Sequence, residues 1–264
     1  MTYLTFHLVF IVPVIIALLA LLRGTPHLPL PGRWSGVAVL AAIAFFYTIP
    51  WDNYLVASGI WSYGDGRVIE WLVIGYVPIE EYAFFVLQPI MTGCFVHWYC
   101  AVRADSLDRL REPLRRGKPA VIGCLCFLLL AVGGWLALEL AGARFCYLGL
   151  IVVWAAPVLA FQWGYGGATL LRLRPLLVPS VVGPTVYLWI ADMIAIEWGI
   201  WLIHEATSTG WKLFSLPLEE AVFFLLTNMM VVQGLLLYYQ FMARRAAPDA
   251  PAGVASGRDL GHGG

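Results

Sequence analysis

Seven apolar stretches organise the chain, at roughly 3–22, 34–57, 73–101, 119–140, 146–166, 178–203 and 213–242. Each is long enough for a transmembrane helix, which needs about 20 residues to cross the hydrocarbon core. Polar residues collect between the runs, while acidic residues recur at a few places within them. The pattern predicts an all-α, polytopic membrane protein whose runs are helices one to seven. After Met242, Ala-Arg-Arg leads into an Ala/Pro/Gly-rich tail, a composition that predicts disorder.

Composition agrees. Of 264 residues, 61% are hydrophobic and 12% charged, whereas about a quarter are charged in a soluble domain. A soluble globular protein is excluded. Net charge is zero, and no basic patch points to nucleic acid. Of the five scattered Cys, Cys124 and Cys126 lie in an apolar run with no His nearby, which argues against a metal site. The N-terminal run lacks a basic n-region and a small-residue cleavage site, so it reads as a retained helix. Thirteen of the sixteen Lys and Arg fall in the loops after helices one, three and five or in the tail. Arg67, Arg144 and Lys212 are the remainder. This bias predicts a multi-pass protein of the cell membrane with its N-terminus outside and its C-terminus cytoplasmic.

The acidic positions repeat. Pro78-Ile79-Glu80-Glu81-Tyr82-Ala83-Phe84-Phe85 is answered by Pro217-Leu218-Glu219-Glu220-Ala221-Val222-Phe223-Phe224, 139 residues on. A shift of 140 lays Asp52 on Asp192, Gly59-Ile60-Trp61 on Gly199-Ile200-Trp201, and Trp71 on Trp211. One deletion in a loop reconciles the shifts, and the same shift lays helices one and two on five and six. The expected organisation is a three-helix unit at 1–102, a loop and linker helix at 103–145, a second unit at 146–242 and a tail at 243–264. With one helix between them the units share an orientation, so a parallel pseudo-twofold along the membrane normal is expected.

Carboxyl groups are costly within such runs and mark function by default. Asp52, Glu80, Glu81, Asp192, Glu197, Glu219 and Glu220 all map to the outer half, with Glu80 roughly 12 Å along helix three and Asp192 near mid-bilayer. No basic residue lies inside a span to pair with them. Adjacent helical residues point about 100° apart, so one Glu of each pair faces a shared cavity and the other bonds a neighbouring helix or lies near the interface. Glu80 and Glu219 are favoured as the inward pair. Desolvation favours the neutral form of a carboxyl, so a buried acid can serve as a general acid. The plainer reading is interhelical hydrogen bonding by these acids. The aromatic candidates are Trp51, Trp61, Phe84, Trp198, Trp201 and Phe223. Ring faces stabilise a desolvated cation by about 2 kcal/mol or more, though many such residues are ordinary interfacial belt residues. Asn53 and Asn228 read as helix–helix glue, and His7 and His97 as core residues.

The doubled Pro-x-Glu-Glu, the Ile-Pro-Trp-Asp-Asn run at 49–53 and the paired Gly-Ile-Trp resemble the membrane lycopene cyclases of the heterodimeric type, in the form that fuses both three-helix subunits. The resemblance covers about 1–242. Trp51-Asp52-Asn53 is answered by Ala191-Asp192-Met193, so the halves are not equivalent there. The resemblance implies a carotenoid cyclase that converts the acyclic ψ ends of lycopene to β-ionone rings, giving β- or γ-carotene. A carboxylic acid protonates C2 of the terminal double bond, the C5=C6 double bond attacks the C1 cation, and a carboxylate removes the C6 proton. No atom is added and no net oxidation occurs. The implied catalytic set is Glu80, Glu81, Glu219, Glu220, Asp52 and Asp192. No cofactor or metal is expected; consistently, the chain lacks the Gly-x-Gly-x-x-Gly of a flavin-binding fold. The implied partners are lycopene or a related carotenoid, the bilayer, and other carotenoid-pathway enzymes.

Alternatives remain open at this level. Longer C50 carotenoids are cyclised within the same family. A prenyltransferase needs Arg or Lys beside its metal-bound diphosphate, and the acids here lie on the side with only three basic residues; insensitivity to EDTA discriminates. A proton-coupled transporter fits parallel repeats and buried acids, but no polar ladder continues to the cytoplasmic side. A non-catalytic carotenoid-binding protein would differ only in having dispensable acids.

Overall fold

The computed structural model describes residues 1–25, 32–71, 73–103, 105–112, 114–115 and 117–246. Seven helices are long and apolar enough to cross a membrane. They are α1 (Tyr3–Arg23), α2 (Arg33–Ala57), α3 (Ile79–Val102), α4 (Gly117–Leu140), α5 (Cys146–Arg172), α6 (Arg174–Glu197) and α7 (Leu218–Ala246). A short helix, Ser106–Arg111, lies between α3 and α4. The motif helices α3 and α7 are the most buried spans. The linker α4 is the least buried and packs along α5, where small residues allow close approach: Gly123 faces the Trp163 ring and Gly149 faces Leu138.

Among the described residues there are three short strand pairs, two of which change where expected apolar runs become helix. Val73–Ile74 (β2) pairs with Val77–Pro78 (β3), and Lys212–Leu213 (β5) pairs with Leu216–Pro217 (β6). Helices three and seven therefore begin at Ile79 and Leu218, not at 73 and 213. Glu80 and Glu219 stand in the first helical turn, so the expected 12 Å depth along the helix is corrected. Tight turns make these hairpins: Gly75 takes φ +71°, and Phe214, at the matching position, takes φ +59° despite its side chain.

The third pair joins distant segments. Trp61–Tyr63 (β1) runs antiparallel to Trp201–Ile203 (β4), with Tyr63 opposite Trp201 and Trp61 opposite Ile203. Both strands follow a glycine that ends a helix. Gly59 and Gly199 have φ of +65° and +62°. The amide after each reaches back five residues, Ile60 to Leu55 and Ile200 to Ala195. This is the Schellman pattern, in which a left-handed residue closes the last turn. Helix six consequently ends at Glu197 rather than 203. Asp192 is thus near its end, which corrects the expected depth along the helix, and Glu197 is exposed.

Two other boundaries move. α5 continues past 166 to Arg172 through a kink at Gly166 (φ −150°). α7 extends to Ala246, so the expected tail from 243 starts as helix; from 247 it lies outside the described residues.

A buried polar knot holds the centre. The Gln88 amide and the Thr92 hydroxyl of α3 donate to Asn228 Oδ1 at 2.9 and 2.7 Å, and Asn228 Nδ2 donates to Thr185 of α6 at 3.1 Å. Asn228→Leu strands the donors of Gln88 and Thr92 in an apolar setting. It is expected to destabilise the bundle by about 1–2 kcal/mol, measured as a lowered unfolding midpoint in detergent. Asn53 is also structural: its Oδ1 accepts the Tyr76 amide at 2.9 Å, which pins the β2–β3 turn.

Candidate active site

A small chamber lies where the N-terminal turns of α3 and α7 meet the ends of α2 and α6 beneath the β1–β4 pair. Four carboxyl groups line it: Asp52 from α2, Glu81 from α3, Asp192 from α6 and Glu220 from α7. They are at most 7% exposed. These four come from the two repeated stretches and the paired Asp, and the inward glutamates are not the pair expected. Glu81 and Glu220 face the chamber, not Glu80 and Glu219.

The exchange has a local cause. Glu80 Oε1 accepts the Ile69 amide at 2.9 Å, and Glu219 Oε1 accepts the Thr209 amide at 2.6 Å. Both are turned away to pin the segments that lead into the hairpins. The roughly 100° step between neighbouring helical residues then aims Glu81 and Glu220 inward. His7 Nε2 donates to the Glu80 carbonyl at 2.9 Å and ties α1 to the same turn.

Tyrosines hold the inward pair. Tyr147 donates to Glu220 Oε1 at 2.6 Å, Tyr63 donates to Glu81 Oε2 at 3.3 Å, and Tyr3 also engages Glu81. Burial, and then the neighbouring Glu81, push the Tyr63 phenol well above its usual value, so it remains a donor. Trp201 Nε1 donates to Asp192 Oδ1 at 2.9 Å. Asp52 differs: among the described residues no N–H or O–H reaches it, and its Oδ2 is buried without a partner. Tyr63→Phe removes one donor to Glu81. It is expected to slow turnover about fivefold, the equivalent of about 1 kcal/mol, with little change in KM.

Among the described residues no Lys or Arg lines the chamber, and the ion pairs Arg103–Asp105, Arg109–Asp105 and Arg172–Glu112 lie elsewhere. Two like charges 4 Å apart repel by about 4 kcal/mol at an effective dielectric constant of 20. Four buried carboxyl groups that no cation faces among the described residues are therefore a costly arrangement, with Tyr147, Tyr63 and Trp201 as the donors held against three of them.

Aromatic faces complete the walls. Trp51, Trp61, Trp201, Phe84 and Phe223 line the chamber, as the sequence reading expected, together with Phe85 and Phe224. Trp198 does not: it follows the last turn of α6 and is 45% exposed. Sequence reasoning missed Tyr3 and Tyr147 and left Tyr63 among the belt aromatics. The available signal was positional. Tyr3 and Tyr147 are 144 residues apart at the starts of helices one and five, as are Pro13 and Pro157 within those helices. The 140-residue shift applied to the first helix concealed that match.

The chain is 41% identical over 243 residues to a protein of Halobacterium salinarum named lycopene beta-cyclase, spanning 92% of this chain and 98% of that protein. It is also 41% identical over 205 residues to a protein of Aspergillus niger named bifunctional lycopene cyclase/phytoene synthase, spanning 75% of this chain and 34% of the fungal one. A protein of the same name from Sporisorium reilianum is 34% identical over 272 residues, spanning 96% of this chain and 38% of its own length. No family model matches the chain, and no solved structure matches it.

Proposed function

The chain belongs to the lycopene cyclase family, and from that membership and the acid-lined chamber we propose that it cyclises the ψ ends of lycopene to β-ionone rings. The observation that carries the reading is the meeting of four buried carboxyl groups with a wall of aromatic faces. Cyclisation needs a proton donor, shelter for a cation and a proton acceptor in one dry space. Each is present in the chamber.

We assign the proton donor to Asp52. Unlike Glu81, Glu220 and Asp192, it has no hydrogen-bond donor directed at it among the described residues, so nothing there specifically holds a carboxylate. It transfers its proton to C2 of the terminal alkene, and the electron pair of that double bond forms the new C–H bond. The resulting C1 cation is attacked by C5=C6, which closes the ring and moves the charge to C5. Trp51 and Phe223, which line the chamber, offer ring faces to that charge. A carboxylate held by phenol donors, Glu220 by Tyr147 or Glu81 by Tyr63, takes the C6 proton, and the C5=C6 bond forms. Proton gain and loss balance, so no redox partner is needed.

The matching pairs Glu81/Glu220, Asp52/Asp192 and Trp61/Trp201 support two sister units, 1–102 and 146–242, related by a parallel pseudo-twofold. The Lys and Arg bias supports an outer N-terminus and a cytoplasmic C-terminus, and with them a chamber near the outer face. A reporter enzyme fused after residue 246 is expected to be active only if its cytoplasmic form is the active one.

Expression in cells that accumulate lycopene tests the function. Pigment shifts from red to yellow-orange, with β-carotene or γ-carotene as product. Unchanged pigment beside well-inserted protein removes the reading.

A further inference from the structure

A second, larger space borders the chamber. It is a groove of about 430 Å³, floored by α7 and banked by α2 and α5. Leu40, Ile43, Val158 and Leu237 are typical of its lining. Of its few polar side chains, Gln162 donates to the Met230 carbonyl at 2.9 Å and Thr227 to the Phe223 carbonyl at 2.7 Å, so their donors serve the backbone. From Thr227 to Phe241 the floor runs about 21 Å at 1.5 Å per residue. The rim residues Ile43 and Phe161 are largely exposed and, in a spanning protein, face lipid tails.

Groove and chamber meet at stacked rings. Trp154 lines the groove, whereas Trp51 and Phe223 line the chamber. Trp154 stacks on Trp51 at 4.6 Å and on Phe223 at 6.0 Å. Tyr47 stacks on Trp154 and donates to its carbonyl at 2.8 Å, which fixes α2 to α5 at this level. The chamber as closed holds only about 40 Å³, too little for an end group about to become a ring. The rings must part to admit one.

The corresponding face of the other half is filled. By the 139-residue shift Gly234 in the groove floor answers to Phe95, and Leu237 to Trp98. The Phe95 ring lies so close to α6 that a Cβ on Gly183 would come within 2.6 Å of its Cζ. Gly234 gives the floor no side chain of its own; Leu40 Cδ1 lies over it, 2.7 Å from where a Cβ would stand, and the groove stays open around them.

Resting on the cyclase reading, we propose that this groove binds the polyene chain of the acyclic carotenoid, with the end group passing Trp154, Trp51 and Phe223 into the chamber. An apolar, bilayer-facing groove parted from the acids only by stacked rings selects a long unfunctionalised polyene as occupant. Because the counterpart face is plugged by Phe95, both ends of one molecule use the same groove in turn. The monocyclic product therefore leaves, reverses and re-enters, and it accumulates before the bicyclic product.

The test uses purified full-length protein in nanodiscs loaded with lycopene. Ala44→Trp and, independently, Val158→Phe fill the groove, and Leu136→Trp on the exposed face of α4 is the control. Lycopene retained after gel filtration is measured in a Glu81→Gln background that does not turn over, and conversion is measured without it. The expected result is loss of both retention and conversion in a groove-filling variant that remains inserted and monodisperse, with the control unchanged. Groove-filled protein that still retains and converts lycopene overturns the proposal, as does a phospholipid in the wild-type groove that lycopene does not displace. Wild-type protein that converts no lycopene defeats the cyclase reading instead, while the retention assay still decides the groove.

Discussion

Glu81→Gln and Glu220→Gln are each expected to lower lycopene turnover by about 10²–10⁴-fold, the range that positioned acid–base groups supply. Glutamine keeps the shape and still accepts the Tyr63 or Tyr147 hydroxyl, so the chamber stays assembled. It cannot exchange a proton with substrate. The adjacent substitutions give the contrast. In Glu80→Gln and Glu219→Gln the amide oxygen still accepts the Ile69 or Thr209 amide. These variants should retain much of their activity and lose stability instead. Initial rates of lycopene loss in nanodiscs, with unfolding midpoints measured alongside, separate the two pairs. If Glu80 and Glu219 prove the sensitive pair at full stability, the inward assignment is wrong.

Asp52→Asn is expected to cause a loss of the same order, because it removes the proton donor while preserving shape. Asp192→Asn should cost far less, about fivefold for one weakened hydrogen bond, since Asp192 is already held by the Trp201 indole and an amide oxygen can accept that N–H. The difference is informative because the sequence places the two residues at matching positions. Equal losses would mean that both halves supply protons. An intact rate in Asp52→Asn would move the donor to another member of the cluster. Single-turnover rates with bound lycopene measure this without interference from release of the monocyclic product.

Much of this arrangement is legible in the sequence because the strongest signals come twice. Apolar run length gives the seven spans, and the doubled Pro-x-Glu-Glu and paired Asp give the acids of a common chamber. The aromatic residues nearest the glycines follow: Trp61 and Trp201 lie two residues after the turns at Gly59 and Gly199. What the sequence conceals is local geometry inside apolar runs. Val73-Ile74-Gly75-Tyr76-Val77-Pro78 has the hydropathy of a helix start, and only its turn reveals a hairpin. Misplacing that start also misplaced the depth of Glu80. The choice between adjacent glutamates depends on backbone amides at Ile69 and Thr209, in loops whose path no periodicity sets. Tyr3 and Tyr147 were missed because an aromatic residue at the start of a span looks like interfacial belt whether or not it bonds an acid.

In the proposed reaction a carboxyl group of this chamber hands its proton to an alkene. Protein equilibrated in D₂O, in excess over lycopene, tests it in a single turnover, with mass analysis of the product. Each ring formed should carry one deuterium at C2, and Asp52→Asn should form almost no ring. Rings that form without deuterium, or at an undiminished rate in Asp52→Asn, Glu81→Gln and Glu220→Gln alike, would contradict it.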